Sequence, residues 1–309
     1  MRNIPDRLSS LERWDELCYY YFDFPVTQTC RVKPDPIYSS LFGFKYLMKF
    51  PYSFPLTRAF CTYLGQTAFL AEETFVSIFA GRIRWRLVLE QVVEIGFGSQ
   101  SVVIITGAFT GAVFTAQTFF QFSALNMSSA VGPVVSVALC RELGPVLTGL
   151  MVAGRVGAAM SAEIGTMKVT EQIDALRALA VNPVDYLVVP RAVAMLISMP
   201  LLVGECLFFG IIASYFVAVK LLNVGSVYFL HNMWNFTHGK DIVMAMTKAF
   251  VFALLIVFIA CQQGLTTRNG AVGVGRATTE AVVISSLCIL IGNFFLTMAL
   301  NIIFPAGVR

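Results

Sequence analysis

Arg141, Glu142, Arg155 and Glu163 are the residues best placed to do chemistry, because all four charges fall in one otherwise apolar stretch. If that stretch crosses a bilayer, each charge at its centre costs about 2.5–3.5 kcal/mol, so each must face protein, water or a ligand. Arg141 and Arg155 are fourteen positions apart, which returns them to nearly the same helix face. A phosphate on that side would answer both. Ion pairs would answer them too, Arg155 with Glu163 and Arg141 with a neighbouring helix, and the spacing leaves both readings open. Glu142 points about 100° away from Arg141 and is a poor partner for it on one helix.

The segment that follows has a different use. Thr170 is expected to cap a short helix with Glu171 and Gln172 in its first turn, where acceptors and negative charge are favourable. Ile173, Leu176 and Leu179 (or Ala180) make an apolar stripe, and Asn182-Pro183 ends it. Such a helix either is gripped by a partner or lies on a membrane. Small residues also recur at four-residue spacing, Gly154, Ala158, Ala162 and Gly157, Ser161, Gly165, which allows close helix approach within the chain or between copies.

Several chemistries find no residues here. The chain contains no GxxxxGK[ST] phosphate loop and no G-x-S-x-G elbow. His231 and His238 lie seven apart without Cys or carboxylate pairs, so they read as interfacial polar residues rather than metal ligands. The cysteines (18, 30, 61, 140, 206, 261, 288) show no paired spacing and read as small apolar fillers. The chain is not expected to be an enzyme.

The elements that must position these residues are membrane helices. Of the 309 residues 57% are hydrophobic and only 13% charged, about half the charge of a soluble domain. Five stretches reach the roughly 20 apolar residues a span needs, at about 101–122, 134–162, 192–220, 242–261 and 281–305. A net charge of +4 is too mild to suggest nucleic acid. Acidic residues at Asp6, Glu12, Asp15 and Glu16 argue against a secretory signal. Pro25, Pro34, Pro36, Pro51 and Pro55 make residues 1–55 an extramembrane leader of unassigned role.

Residues 56–94 differ from that leader. Phe60, Leu64, Phe69, Phe75, Ile78 and Phe79 alternate with Arg58, Glu72 and Glu73 before the basic cluster Arg82, Arg84, Arg86. That pattern predicts an interfacial amphipathic helix, with a sixth span as the competing reading. Lys168, Arg177, Arg268 and Arg276 join Arg82, Arg84 and Arg86 on one side, which is expected to be cytoplasmic, with Arg309 outside. An odd number of spans gives no inverted repeat and counts against the usual secondary transporters.

The run Arg141-Glu-Leu-Gly-Pro145, Ala153-Gly-Arg155-Val-Gly157, Ala162-Glu163-Ile-Gly165 and Thr166 to Leu176, with Gly273-Val-Gly275-Arg276-Ala-Thr-Thr279, resembles the MlaE-type ABC permease family. That family includes the YrbE proteins of Mce systems and the plastid lipid permease, and the likeness covers roughly residues 60–309. It implies an all-α integral membrane fold: an interfacial helix, then a permease domain over 95–309 with five transmembrane helices and a cytoplasmic coupling helix. It also implies a second copy of this chain, a cytoplasmic ABC ATPase dimer that binds the ATP and Mg, and an MCE-domain protein on the outer face. No cofactor is expected in the chain itself.

The implied cargo is a phospholipid or related lipid passing between the inner membrane and the MCE-domain partner, as in maintenance of outer-membrane lipid asymmetry. Expected lipid-binding residues are Phe114, Gln117, Phe122, Leu125, Arg141, Glu142 and Arg276, with Phe119 in the same aromatic wall. Expected ATPase-coupling residues are Glu171, Gln172, Ile173, Asp174 and Leu176. A bacterial inner membrane is favoured over a plastid envelope, since no Ser/Arg-rich, acid-poor segment opens the chain. The rival reading is a membrane scaffold that transports nothing.

Overall fold

A computed structural model describes residues 55–81, 83–125 and 127–303. The leader expected over 1–55 lies outside the described residues apart from Pro55, as do Arg82 and Arg309. Helices account for nearly all of the described chain, and no strand occurs among those residues. They are α1 (Pro55–Phe79), α2 (Trp85–Ser123), α3 (Val131–Val169), α4 (Gln172–Ala178), α5 (Val184–Leu221), α6 (Ser226–Phe236), α7 (Gly239–Leu265) and α8 (Gly270–Ile303). Five of them (α2, α3, α5, α7 and α8) are long and apolar enough to cross a membrane. The chain is an all-α integral membrane protein.

The spans are longer than the apolar stretches that mark them. α3 has 39 residues, about 58 Å of helix against a hydrocarbon core of roughly 30 Å. Helical backbone satisfies its own hydrogen bonds, so it continues past the apolar window into polar flanks. Three of the long helices carry π-turns: Val93–Phe97 in α2, Leu139–Leu143 and Ala153–Gly157 in α3, and Val184–Val188 and Val217–Leu221 in α5. Single π-turns inside helices are frequent at functional sites.

Glycine decides the closest contact in the bundle. α2 runs along α5 with Gly107 against Cys206 and Gly111 against Gly210. A Cβ at Gly107 would lie 2.7 Å from the Cys206 carbonyl oxygen, so no larger residue fits without moving backbone. One turn beyond Gly111, Thr115 donates to Ser214 at 2.6 Å across the same seam. α7 is the central helix, with 56% of its apolar window buried against 17% for α8. Val152, Met195, Met199, Phe252 and Ile256 form the main core, and Val131, Val135, Leu139, Val203, Ala245 and Ala249 form a second. The exposed faces stay apolar, with Phe109 on α2 and Phe294, Phe295 and Met298 on α8 open on the outside as lipid contact requires.

The amphipathic region splits in two. α1 stops at Phe79, Gly81 takes φ +73, and a new helix starts at Trp85, so residues 85–94 open the first span. α1 buries Leu70, Thr74 and Ser77 and leaves Phe69, Val76 and Phe79 exposed. Gln262 of α7 donates to Gln66 at 3.0 Å, and Phe75 meets Phe258 edge-on at 5.8 Å. α1, α4 and the α7–α8 turn share the end of the bundle that carries Arg84, Arg86, Lys168, Arg177, Arg268 and Arg276. The α2–α3 connection and α6 lie at the other end, where Asn232 donates to the Ser129 carbonyl at 3.1 Å.

The two small-residue stripes have different fates. Gly157 and Gly165 pack within the chain against Ile256 and Thr267, and Ser161 is buried between them. Gly154 faces open space and is exposed, with Ala158 and Ala162 half-buried along the same edge.

Candidate functional site

The π-turn Leu139–Leu143 carries Arg141 and Glu142, and these two adjacent side chains reach two different helices. Arg141 Nε donates to Asp241 Oδ1 of α7 at 2.6 Å. Glu142 reaches α8, where its carboxylate accepts from Asn293 Nδ2 at 2.7 Å and from the Thr297 hydroxyl at 2.9 Å. Lys248 of α7 is fully buried between them. Its Nζ lies 3.0 Å from Glu142 Oε2 and donates to the Arg141 carbonyl at 2.6 Å and to Thr297 Oγ1 at 2.8 Å.

Two cations and two carboxylates cancel, and each finds the partners that make burial of charge tolerable. Asp241 does a second job. Its other oxygen accepts the His238 backbone N–H at 2.9 Å and caps the start of α7, where a carboxylate also suits the helix dipole. Asp241 thus couples the cap of α7 to Arg141.

Of the two readings of Arg141, the structure shows the pair with a neighbouring helix, to Asp241 of α7. Arg155 does not pair with Glu163, which instead accepts from Arg191 of α5 at 2.8 Å. Asp241 and Lys248 were missed. The signal was present: α3 brings arginines and glutamates into lipid, and a lone lysine in the apolar stretch of α7 needs an acidic partner on another span.

The expected aromatic wall is brought to this turn in part. Phe114, Phe119 and Phe122 pack on the second core beside Leu139 and Leu143, which flank Arg141 and Glu142. Gln117 and Leu125 are exposed and turn away from that core. Arg276 is not part of the cluster. It lies seventeen residues before Asn293 on α8, about 25 Å along the axis at the opposite end of the bundle. Arg141 and Glu142 keep 29% and 38% side-chain exposure, so one side of the network is open.

At the other end, α4 is built differently from its expected form. Thr170 ends α3 and donates back to the Thr166 carbonyl at 2.8 Å, while Glu171 takes the N-cap with φ 59 and no side-chain cap bond. Ile173 is fully buried and Leu176 packs partly on the main core, so the apolar stripe seats α4 on its own bundle. Glu171, Gln172, Asp174, Ala175, Arg177 and Leu179 remain exposed. Asp174 bridges Lys168 and Arg177, each at 3.1 Å, and hydrogen bonding to Lys168 first and its charge second hold that carboxyl below its usual range.

α1 braces the return segment of this loop. Asn182 donates to Glu73 at 2.9 Å, Ser77 donates to Asp185, and the Arg84 guanidinium sits 4.9 Å above the Tyr186 ring. Glu73, Lys168, Ile173, Arg177, Asn182 and Leu265 border a cavity of about 210 Å³ between these elements. Among the described residues, no group of three or more His, Cys, Asp or Glu could hold a metal.

A five-span all-α bundle with a neutral charged network inside and a braced loop helix at one end defines a polytopic membrane protein. A family model described as Permease MlaE matches residues 88–299, and the chain belongs to that family. It is 45% identical over 229 residues to a probable ABC transporter permease protein from Synechocystis, covering 74% of this chain and 87% of the relative. A probable ABC transporter permease protein from Rickettsia felis is 42% identical over 243 residues, 78% of this chain and 93% of its own. The chloroplastic protein TRIGALACTOSYLDIACYLGLYCEROL 1 of Arabidopsis thaliana is 38% identical over 228 residues, 74% of this chain and 65% of its own.

Proposed function

We propose that this chain is the membrane-spanning subunit of an ABC transporter that moves phospholipids or related lipids between the inner membrane and an MCE-domain partner. A second copy of the chain completes the permease, and a cytoplasmic ATPase dimer binds ATP and Mg. The observation that carries the reading is the network of Arg141, Asp241, Lys248 and Glu142. It is a polar, charge-balanced site inside an apolar bundle, open on one side and walled by Phe114 and Phe122. A lipid needs both parts, polar partners for its headgroup and apolar surface for its chains. The name of the Arabidopsis relative, which contains a galactolipid, supports a lipid cargo.

At the other end, the exposed face of α4 offers Glu171, Gln172, Asp174 and Leu179 to the ATPase, while Ile173 and Leu176 transmit its movement to the core. Maintenance of outer-membrane lipid asymmetry is the role such a transporter would serve.

The test is reconstitution. The purified chain in liposomes should hydrolyse no ATP, and adding the ATPase should give hydrolysis and ATP-dependent movement of a fluorescent phospholipid. Hydrolysis by the chain alone would sink the permease reading. An assembled complex that hydrolyses ATP yet moves no lipid would support a scaffold or a different cargo.

A further inference from the structure

The second arginine of α3 is handled differently from the first. Arg155 lies on the π-turn Ala153–Gly157, is exposed, and enters no ion pair or hydrogen bond among the described residues. Its guanidinium reaches across to α2 and rests on Gly98. A Cβ at Gly98 would be 2.9 Å from Nη2 and 3.4 Å from Cζ and Nη1 of Arg155. Gly98 directly follows the π-turn Val93–Phe97, so two such turns meet where the cation emerges.

Neither Glu163 nor Glu94 pairs with Arg155. Glu163 accepts from Arg191, and Glu94, one turn before Gly98, accepts from Gln91 at 3.2 Å. Two apolar side chains lie close by in sequence, Phe97 next to Gly98 at 78% exposed and Met151 one turn before Arg155 at 38% exposed.

Depth makes this arrangement informative. Gly98 is thirteen residues beyond Trp85, about 20 Å along α2, and Arg155 is fourteen residues before Val169, about 21 Å along α3. Gly98 sits at the edge of the apolar stretch of α2 that opens at 101. The apolar stretch of α3 runs over 134–162, so Arg155 lies about 10 Å inside its end, within the hydrocarbon core. A permanently charged side chain is tolerated there only beside an anion or water. Arg141, about 21 Å further along α3, is already neutralised by Asp241 of α7.

We propose that Arg155, held against Gly98 between α2 and α3, binds the phosphate of a phospholipid headgroup partway across the membrane. The inference rests on the lipid-transport reading above and deepens it by naming a second headgroup site, apart from the charged network. A guanidinium presents a planar fork of donors matched to two phosphate oxygens, which an ammonium does not. Gly98 leaves the fork flat and uncovered, and Phe97 and Met151 offer the apolar surface that acyl chains would follow.

The experiment uses the complete complex in nanodiscs with two photoreactive probes, a phosphatidylglycerol and a diacylglycerol that lacks the phosphate. Labelled peptides are mapped by mass spectrometry. Phosphatidylglycerol should label the peptides around Arg155 and Gly98, and diacylglycerol should label them far less. Arg155→Gln should lower phosphatidylglycerol labelling about tenfold, as loss of a charge-assisted contact does. Arg155→Lys should keep part of it. Gly98→Ala retains the charge but displaces the guanidinium, and should lower labelling without unfolding the protein, because only a flexible side-chain end must move.

Equal labelling by the two probes would overturn the proposal. So would undiminished labelling in both Gly98→Ala and Arg155→Gln. If Arg155→Gln instead separates two copies of the chain while Gly98→Ala labels normally, the guanidinium belongs to an interface and the proposal falls. The same nanodiscs fused into liposomes separate the two readings. A wild-type complex that moves lipid without any Arg155 dependence removes this site alone, whereas one that moves no lipid removes the transport reading itself.

Discussion

Lys248 shows how a single side chain can be both a liability and a lock. It is fully buried among α3, α7 and α8, and its three contacts are the Arg141 carbonyl, Thr297 and Glu142. Removing one partner of a buried pair leaves the other charge uncompensated, at about 3–5 kcal/mol when fully buried. Glu142 is 38% exposed, which reduces that penalty through solvent screening. Lys248→Met should therefore lower the stability of the detergent-purified protein by about 2–3 kcal/mol. The double variant Lys248→Met, Glu142→Gln should recover most of the loss, because no lone charge remains. Thermal unfolding measures both, and a double variant no more stable than the single would show that the pair is not coupled.

At the scale of elements, α4 separates two functions that its sequence merges. Its apolar stripe looks like a docking face, yet Ile173 and Leu176 point into the bundle and Leu179 alone of the stripe is widely exposed, at 74%. Leu176→Asp should accordingly unseat α4 and lower stability. Leu179→Asp should weaken ATPase capture while changing stability by no more than about 0.5 kcal/mol, as exposed substitutions do. Co-purification with the ATPase and thermal unfolding, run on both variants, distinguish the two. An intact complex with Leu179→Asp would move the ATPase contact to the polar face of Glu171, Gln172 and Ala175. α1 belongs to the same mechanical unit, since Glu73, Ser77 and Arg84 hold Asn182, Asp185 and Tyr186 on the return from α4.

The whole molecule is polarised along the membrane normal. Arg84, Arg86, Lys168, Arg177, Arg268 and Arg276 gather at one end, while the exposed Tyr228, Trp234 and Phe236 of α6 mark the other. Basic residues favour the cytoplasmic side and aromatic rings the headgroup level. In a background with the native cysteines replaced, Gln172→Cys should react with a membrane-impermeant maleimide only after cells are opened, and Asn235→Cys should react in intact cells. The reverse pattern would invert the orientation and remove α4 from reach of a cytoplasmic ATPase.

What the sequence determined by itself was set by composition and local pattern. Twenty apolar residues in a row have one stable form in lipid, a helix, so five stretches predicted five spans, and charges inside α3 marked it as the helix of interest. The chain also carried enough repeated motif, from Arg141 to Leu176, to place its family. Tertiary structure alone decided which charges meet. Arg141 and Asp241 are a hundred positions apart, and nothing local states that α7 will bring Asp241 to α3. It likewise decided that Thr170 ends a helix rather than starting one, that Ile173 faces inward, and that the break at Gly81 gives residues 85–94 to the first span. Each is a matter of which neighbour arrives, because the same amphipathic stripe can face lipid, a partner or its own bundle with similar gain in buried apolar surface.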